Sequence, residues 1–144
     1  MRETTAKKFG YPGLLVKEYQ HWELLCRYEQ VTLGSLILIC RAEADAFSKL
    51  PPEAFTELAT IVPEVEAELK QLFGYDKINW LMLMMKDPEV HFHIVPRYSD
   101  DREFEGVVFK DTSYPTAPKL TVVNEISEIT LIQLKEKLKA VFNE

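Results

Sequence analysis

Two of the chain's three histidines and an acid recur at alternating positions in Asp87-Pro88-Glu89-Val90-His91-Phe92-His93-Ile94-Val95-Pro96-Arg97-Tyr98. Read as a β-strand, this stretch turns Glu89, His91, His93 and Val95 to one side and Val90, Phe92 and Ile94 to the other. A lone histidine on an amphipathic strand is most simply a packed or solvated side chain. Two in register with a carboxylate, closed by Pro-Arg, weigh toward a site. Two chemistries suit such a face. Alternate strand residues converge on one ion, and a set of two histidines and one carboxylate fits iron or zinc, with His21 the one histidine left to add a ligand. Alternatively, one imidazole acts as a nucleophile or acid–base group near neutral pH, because histidine is neutral enough there to attack and still passes a proton. Arg97 suits a phosphate nearby and equally suits pairing with an acid.

The elements that must position this strand lie mostly ahead of it. Phe9-Gly10-Tyr11-Pro12-Gly13 is turn-rich and leads to Leu14-Leu15-Val16, a short strand or arm whose aromatic rings are expected to anchor the terminus rather than cap a ligand. Trp22–Tyr28 reads as a strand, Gln30–Gly34 as a turn, and Ser35–Cys40 as a second, deeply buried strand in hairpin order. His21 is expected to be packed or on the surface. Lys49-Leu50-Pro51-Pro52-Glu53 is a helix start, since proline suits the first turn and an acid there complements the helix dipole. Phe55, Leu58, Ile61, Val62, Val65, Leu69 and Leu72 then recur at spacings of three and four, giving one apolar stripe that ends near Gly74. Pro63 should kink this helix, and Glu64, Glu66, Glu68 and Lys70 should form a solvated face.

Ile78–Met85 is almost wholly apolar, which predicts a central strand covered on both sides, with its three methionines packed in the core rather than holding copper. The histidine strand follows as its partner. Residues 99–118 read as loop, with Phe104–Phe109 as an edge strand or short extension and a lid or interface arm as its two candidate roles. From about Glu125 a second helix is expected, with Ser127 or Thr130 as cap. Ile129, Ile132, Leu134, Leu138, Val141 and Phe142 should share its buried side.

With 144 residues, 47% of them hydrophobic, the chain can bury a core without staples and reads as one domain over 1–144. A net charge of −6, spread along the chain, argues against nucleic acid or an anionic membrane as a general partner while leaving small phosphorylated ligands open. Cys26 and Cys40 lack metal-ligand spacing and sit in apolar runs, so buried reduced thiols are expected. The N-terminus carries no apolar signal core and no run approaches membrane-spanning length, so a cytoplasmic protein is expected.

Glu89-Val90-His91-Phe92-His93-Ile94-Val95-Pro96-Arg97 resembles the motif of the histidine triad (HIT) family of nucleotide hydrolases and transferases, matching it everywhere except the first histidine, where Glu89 stands. The likeness extends over about residues 20–98, through Trp22 before a strand, Gly34 opening the next, Leu50-Pro51-Pro52-Glu53 opening the long helix, and Phe73-Gly74 before Asn79. It implies an α+β domain in which a five-stranded antiparallel sheet is packed by a long central helix and a C-terminal helix, often as a homodimer. It further implies that His91 attacks the α-phosphorus of a nucleotide, giving a nucleotidyl-histidine that water breaks down, and that His93 contacts the phosphate. Glu89 would then orient the site or supply a proton, and Arg97, Glu29 and Asn79 would belong to the nucleotide pocket. Such a nucleophile needs no metal or cofactor, although Mg2+ can accompany a polyphosphate. The substrates implied are dinucleoside polyphosphates or nucleoside phosphoramidates, with hydrolase and nucleotidyltransferase sharing one intermediate. The alternative is a non-catalytic nucleotide-binding or interaction module on the same fold.

Overall fold

In a computed structural model of the chain, the structure describes residues 7–87 and 89–144; the polar start through residue 6 and Pro88 of the turn before the histidines lie outside the described residues. Five strands, β1 (Leu15–Glu18), β2 (Trp22–Cys26), β3 (Leu36–Cys40), β4 (Lys77–Leu81) and β5 (His91–Arg97), form one antiparallel sheet in the order β1-β2-β3-β5-β4. Two helices, α1 (Pro52–Phe73) and α2 (Glu128–Phe142), pack on one face of it. This is the α+β arrangement expected. Alternation divides the sheet: Leu24, Cys26, Leu36, Leu38, Cys40 and Ile94 join the main core under the helices, while Leu25, Ile37 and Ile39 form a smaller cluster on the opposite face. Both parities of β2 and β3 are buried, which is why β3 reads as an unbroken apolar run and β2 as one interrupted only by the buried Glu23.

Pro51 and Pro52 start α1, Glu53 sits in its first turn, and Gly74 ends it at φ 62, with its N–H bonded to Lys70 O at 2.8 Å. The helix runs uninterrupted through Pro63. Its buried stripe is Ala54, Ile61, Val65 and Leu69; Phe55 lies outside that stripe, half exposed against the Phe47 ring. The acidic face does more than meet solvent. Glu57 accepts from the His21 N–H at 2.7 Å, Glu64 pairs with Lys17 at 3.0 Å and bonds the Tyr19 hydroxyl, and Glu66 accepts from the Trp80 indole at 3.0 Å. These carboxylates clamp the helix to the strands.

The expectation of a central strand over Ile78–Met85 is corrected: β4 stops at Leu81 and is the sheet's edge. The chain leaves it through Met84 at φ 52, and Leu83 and Met85 stand exposed. An apolar run reports what covers a strand's faces, whereas centrality depends on hydrogen-bond neighbours at both edges. The central position belongs to β3.

Beyond the sheet, β6 (Arg102–Phe104) and β7 (Val107–Phe109) form a hairpin that buries Phe109 and sets Phe104 against Phe73. Ser127 caps α2 by accepting from the Thr130 N–H at 3.1 Å. Its buried stripe is Leu131, Leu134, Leu138 and Phe142, one turn apart, while Ile129 and Ile132 face outward, contrary to the expected register. Among the described residues no helix is long and apolar enough to cross a membrane.

Candidate active site

The histidines lie on the sheet face away from the helices. Register places Ile39 opposite His91 and Ile37 opposite His93, so both imidazoles stand beside the small cluster of Leu25, Ile37 and Ile39. The strand itself begins at His91; Glu89 precedes it, although Val90 O still accepts from Cys40 N at 2.9 Å and extends the ladder. His91, His93 and Val95 therefore share a strand face as expected, whereas Glu89 reaches the site from the turn. Its residue is wholly buried.

Residue 89 contributes through its backbone. His91 Nδ1 lies 2.7 Å from Glu89 O, and a carbonyl oxygen only accepts, so the hydrogen sits on Nδ1 and the lone pair on Nε2. This contact to the imidazole is made by the backbone of residue 89. The two imidazoles meet edge to face at 5.1 Å between centroids. Burial, then the positive charge of Arg27, pushes the His93 pKa down to about 4, so His93 is neutral around pH 7.

The arm before β1 covers this pair. The Phe9 ring centroid is 5.5 Å from that of His91 and 5.9 Å from that of His93, and Tyr11 packs with it over the small apolar cluster. Lys8 pairs with Asp87 at 3.0 Å, tying the arm to the turn that leads into the histidine strand. Anchoring the terminus and capping the site are therefore the same contact here, which corrects the expectation that the aromatic rings only anchor. The aromatic turn was visible in sequence; its destination was not.

The other expected pocket residues lie elsewhere. Arg97 is at the far end of β5, where Asp111 takes it in two bonds of 2.8 and 3.1 Å and Asn79 Oδ1 and Ser113 Oγ accept at 2.8 and 3.1 Å. Of the two roles open to Arg97, pairing with an acid is the one observed. Burial disfavours charge on Asp111, but the Arg97 guanidinium still holds its carboxyl below the usual range. Arg97 and Asn79 line a cavity of about 160 Å³ with Lys77, Tyr114 and Pro115. Glu29 is exposed and borders a groove of about 760 Å³ near the start of α2, lined by none of the histidines. His21 is engaged through its backbone, its N–H donating to the Glu57 carboxylate and its carbonyl accepting from the Arg41 N–H.

Arg27 is the residue that sequence reading passed over. It follows β2 by one position, its N–H bonded to Ser35 O at 2.9 Å, and alternation from Leu25 carries its side chain to the histidine face. It is buried, with Nε lacking a hydrogen-bond partner. Counting by twos from Leu25 would have found it.

Among the described residues no cluster of three histidine, cysteine or acidic side chains is arranged to hold a metal ion. Cys26 and Cys40 are both buried, and burial pushes the Cys26 thiol up to about 12, so Cys26 is not primed as a nucleophile.

No curated protein matches the chain by sequence. Among solved structures, a histidine triad protein from Sinorhizobium meliloti is 18% identical with a TM-score of 0.71, covering 95% of this chain and 93% of that one. A hypothetical histidine triad nucleotide-binding protein from Sulfolobus tokodaii is 17% identical with a TM-score of 0.68, covering 96% and 89%. A histidine triad protein from Marinobacter aquaeolei is 22% identical with a TM-score of 0.66, covering 90% and 88%. At these identities the likeness establishes the fold. The sequence pattern of the HIT domain matches residues 15–100, well over half of the chain. The chain belongs to the HIT domain family.

Proposed function

We propose that the protein is a nucleotide hydrolase that cleaves a phosphoanhydride or phosphoramidate bond at an α-phosphate through a nucleotidyl intermediate on His91. The observation that carries this reading is the 2.7 Å contact between His91 Nδ1 and Glu89 O, which fixes the tautomer with its Nε2 lone pair available. In the first step Nε2 attacks phosphorus, the bond to the leaving group breaks, and the leaving group takes up a proton. In the second, water attacks phosphorus, gives up a proton, and the P–N bond to His91 breaks to release a nucleoside monophosphate. His93, neutral and beside His91, offers a ring N–H to a phosphoryl oxygen. Glu89 is the acid–base group proposed for the proton transfers. Mg2+ would accompany a polyphosphate substrate without contributing the nucleophile. An alcohol or amine in place of water would make the same intermediate a transferase's.

The test is incubation with dinucleoside polyphosphates and nucleoside phosphoramidates, with intact-mass and peptide analysis for an adduct on His91. An adduct elsewhere, or turnover undiminished in His91→Ala, would retire the mechanism. One observation favours a second reading, a nucleotide-binding or interaction module without turnover: the Phe9 ring rests on both imidazoles. Nucleotide binding without product across the whole panel would select it. A second copy of the chain is the proposed protein partner, since the β4 edge and the exposed Leu83 and Met85 beside it offer an apolar rim. A monomeric mass in solution would remove that proposal.

A further inference from the structure

The histidine face needs a positive charge to hold a phosphate, and His93 does not supply it. His93 is neutral around pH 7, with its pKa pushed down to about 4, and its Nδ1 is buried without a partner. Alternation brings three arginines to this side of the sheet, and two are neutralised by acids. Arg97 is held by Asp111 at 2.8 Å, and Arg41 pairs with Glu18 at 2.7 Å and approaches Glu23 at 3.7 Å. Arg27 differs. Its Nη1 donates to the Glu29 carbonyl at 2.8 Å, its Nε is buried with no partner, and among the described residues no carboxylate lies within ion-pairing distance of it. Burial disfavours the charge on this guanidinium, 7% of whose residue is exposed, and the Glu29 carboxylate offsets that only in part from beyond ion-pairing distance, so an anionic ligand would stabilise it.

Its placement is rigid. The wholly buried Gln30 side chain donates to Arg27 O at 2.6 Å and Ser35 O at 2.9 Å, and accepts from the Gly34 and Ser35 N–H groups at 2.9 and 3.1 Å. Asn124 then secures the far side of the turn through Gln30 O and Val31 O. A turn tied at this many points holds the arginine in place before any ligand binds, which lowers the ordering cost of binding. The row Leu25–Ile37–His93 lies next to the row Arg27–Ser35–Val95, so the long side chain and the second imidazole flank neighbouring positions of one face.

We infer that Arg27 is a phosphate-binding residue of this site, its guanidinium and the free ring nitrogen of His93 together taking the non-reacting oxygens of a phosphoryl group presented to His91. The inference rests on the His91 reading for the word "presented", while the anion site itself is separable from it. It places the charge for phosphate on β2's end rather than on Arg97 of the motif strand. It also sets the ligand class: an anionic phosphate ester or anhydride, with nucleosides lacking phosphate bound poorly.

The test is calorimetric titration with inorganic phosphate and with adenosine monophosphate, in wild type, Arg27→Gln and Arg27→Lys, each also in a Phe9→Ala background where the covering ring is absent. Wild type should bind both. Arg27→Gln should lose at least about tenfold, and Arg27→Lys should fall between, since it keeps the charge and loses the planar donor pair. Thermal melts and far-UV circular dichroism accompany every titration. Equal phosphate affinity in Arg27→Gln, or no phosphate binding by wild type in either background, would overturn the inference. So would loss that tracks unfolding equally in the Gln and Lys variants, because that marks Arg27 as only a brace for its turn. A His91 adduct with unchanged Arg27→Gln affinity removes Arg27 alone. Arg27-dependent phosphate binding with no adduct supports Arg27 and removes the hydrolase reading.

Discussion

The two ends of β5 carry similar chemistry and opposite states of satisfaction. At the far end, Arg97 has its donors met by Asp111, Asn79 and Ser113, with both members of the ion pair almost wholly buried. Toward the other end, His93 Nδ1 is buried and unmet, as is Nε of Arg27 in the next row of the same face, and an aromatic ring from a distant segment lies over the imidazoles. Buried polar groups are ordinarily bonded. The satisfied end is therefore read as framework and the unsatisfied end as the place where a ligand completes the network. The sharpest break of this contrast is His91→Ala, which should lower turnover on the order of 10⁴-fold or more while leaving the melt nearly unchanged. Steady-state rates on the best panel substrate check it. A loss under tenfold would mean that another group is the nucleophile.

The opposite pattern is expected at the other end. Asp111→Ala leaves a buried guanidinium without its counter-ion and should cost about 3–5 kcal/mol of stability. Below the lowered melting temperature, formation of the His91 adduct should persist. Chemical denaturation with a parallel adduct assay reads both, and an adduct lost in a folded Asp111→Ala protein would place the motif arginine in the chemistry after all.

This contrast could be read only in part from sequence. Alternation alone placed His91 and His93 on one face, and the Pro52 and Gly74 signals bounded the long helix, because both depend on local geometry. The sheet's order did not follow from composition, since β4 is apolar enough for a centre and sits at an edge. Arg97 fitted a phosphate and an acid equally well, and the choice was made by Asp111, which the β6–β7 hairpin returns to the strand. Phe9 over the histidines is likewise a contact between segments remote in sequence, with no periodicity to announce it.

The unmet end should also show in pH dependence. Burial pushes the His93 pKa down to about 4 in the folded protein, whereas in an unfolded chain the imidazole takes up its proton near its ordinary value of about 6.5. Between these values the unfolded state binds more protons, so stability falls as the pH is lowered from about 6.5 to about 4, and His93 adds no slope above that window. Melting temperatures across this range should slope more in wild type than in His93→Gln. Identical slopes would show that His93 is solvated rather than held in a dry site.

The smallest effect expected is at Phe9, and its sign is the informative part. If the ring merely occupies the ligand's place, Phe9→Ala removes a contact that stabilises the closed arm, costing about 1 kcal/mol in the melt. The same amount no longer opposes the ligand, so nucleotide should bind roughly fivefold tighter, because a competent state once fractionally populated becomes the resting one. Stability and affinity would then move in opposite directions by matching amounts. If instead the ring stacks on the bound nucleotide, both fall together. Titration of adenosine monophosphate beside a denaturation curve separates the two, and a joint fall would make the arm part of the binding site rather than its cover.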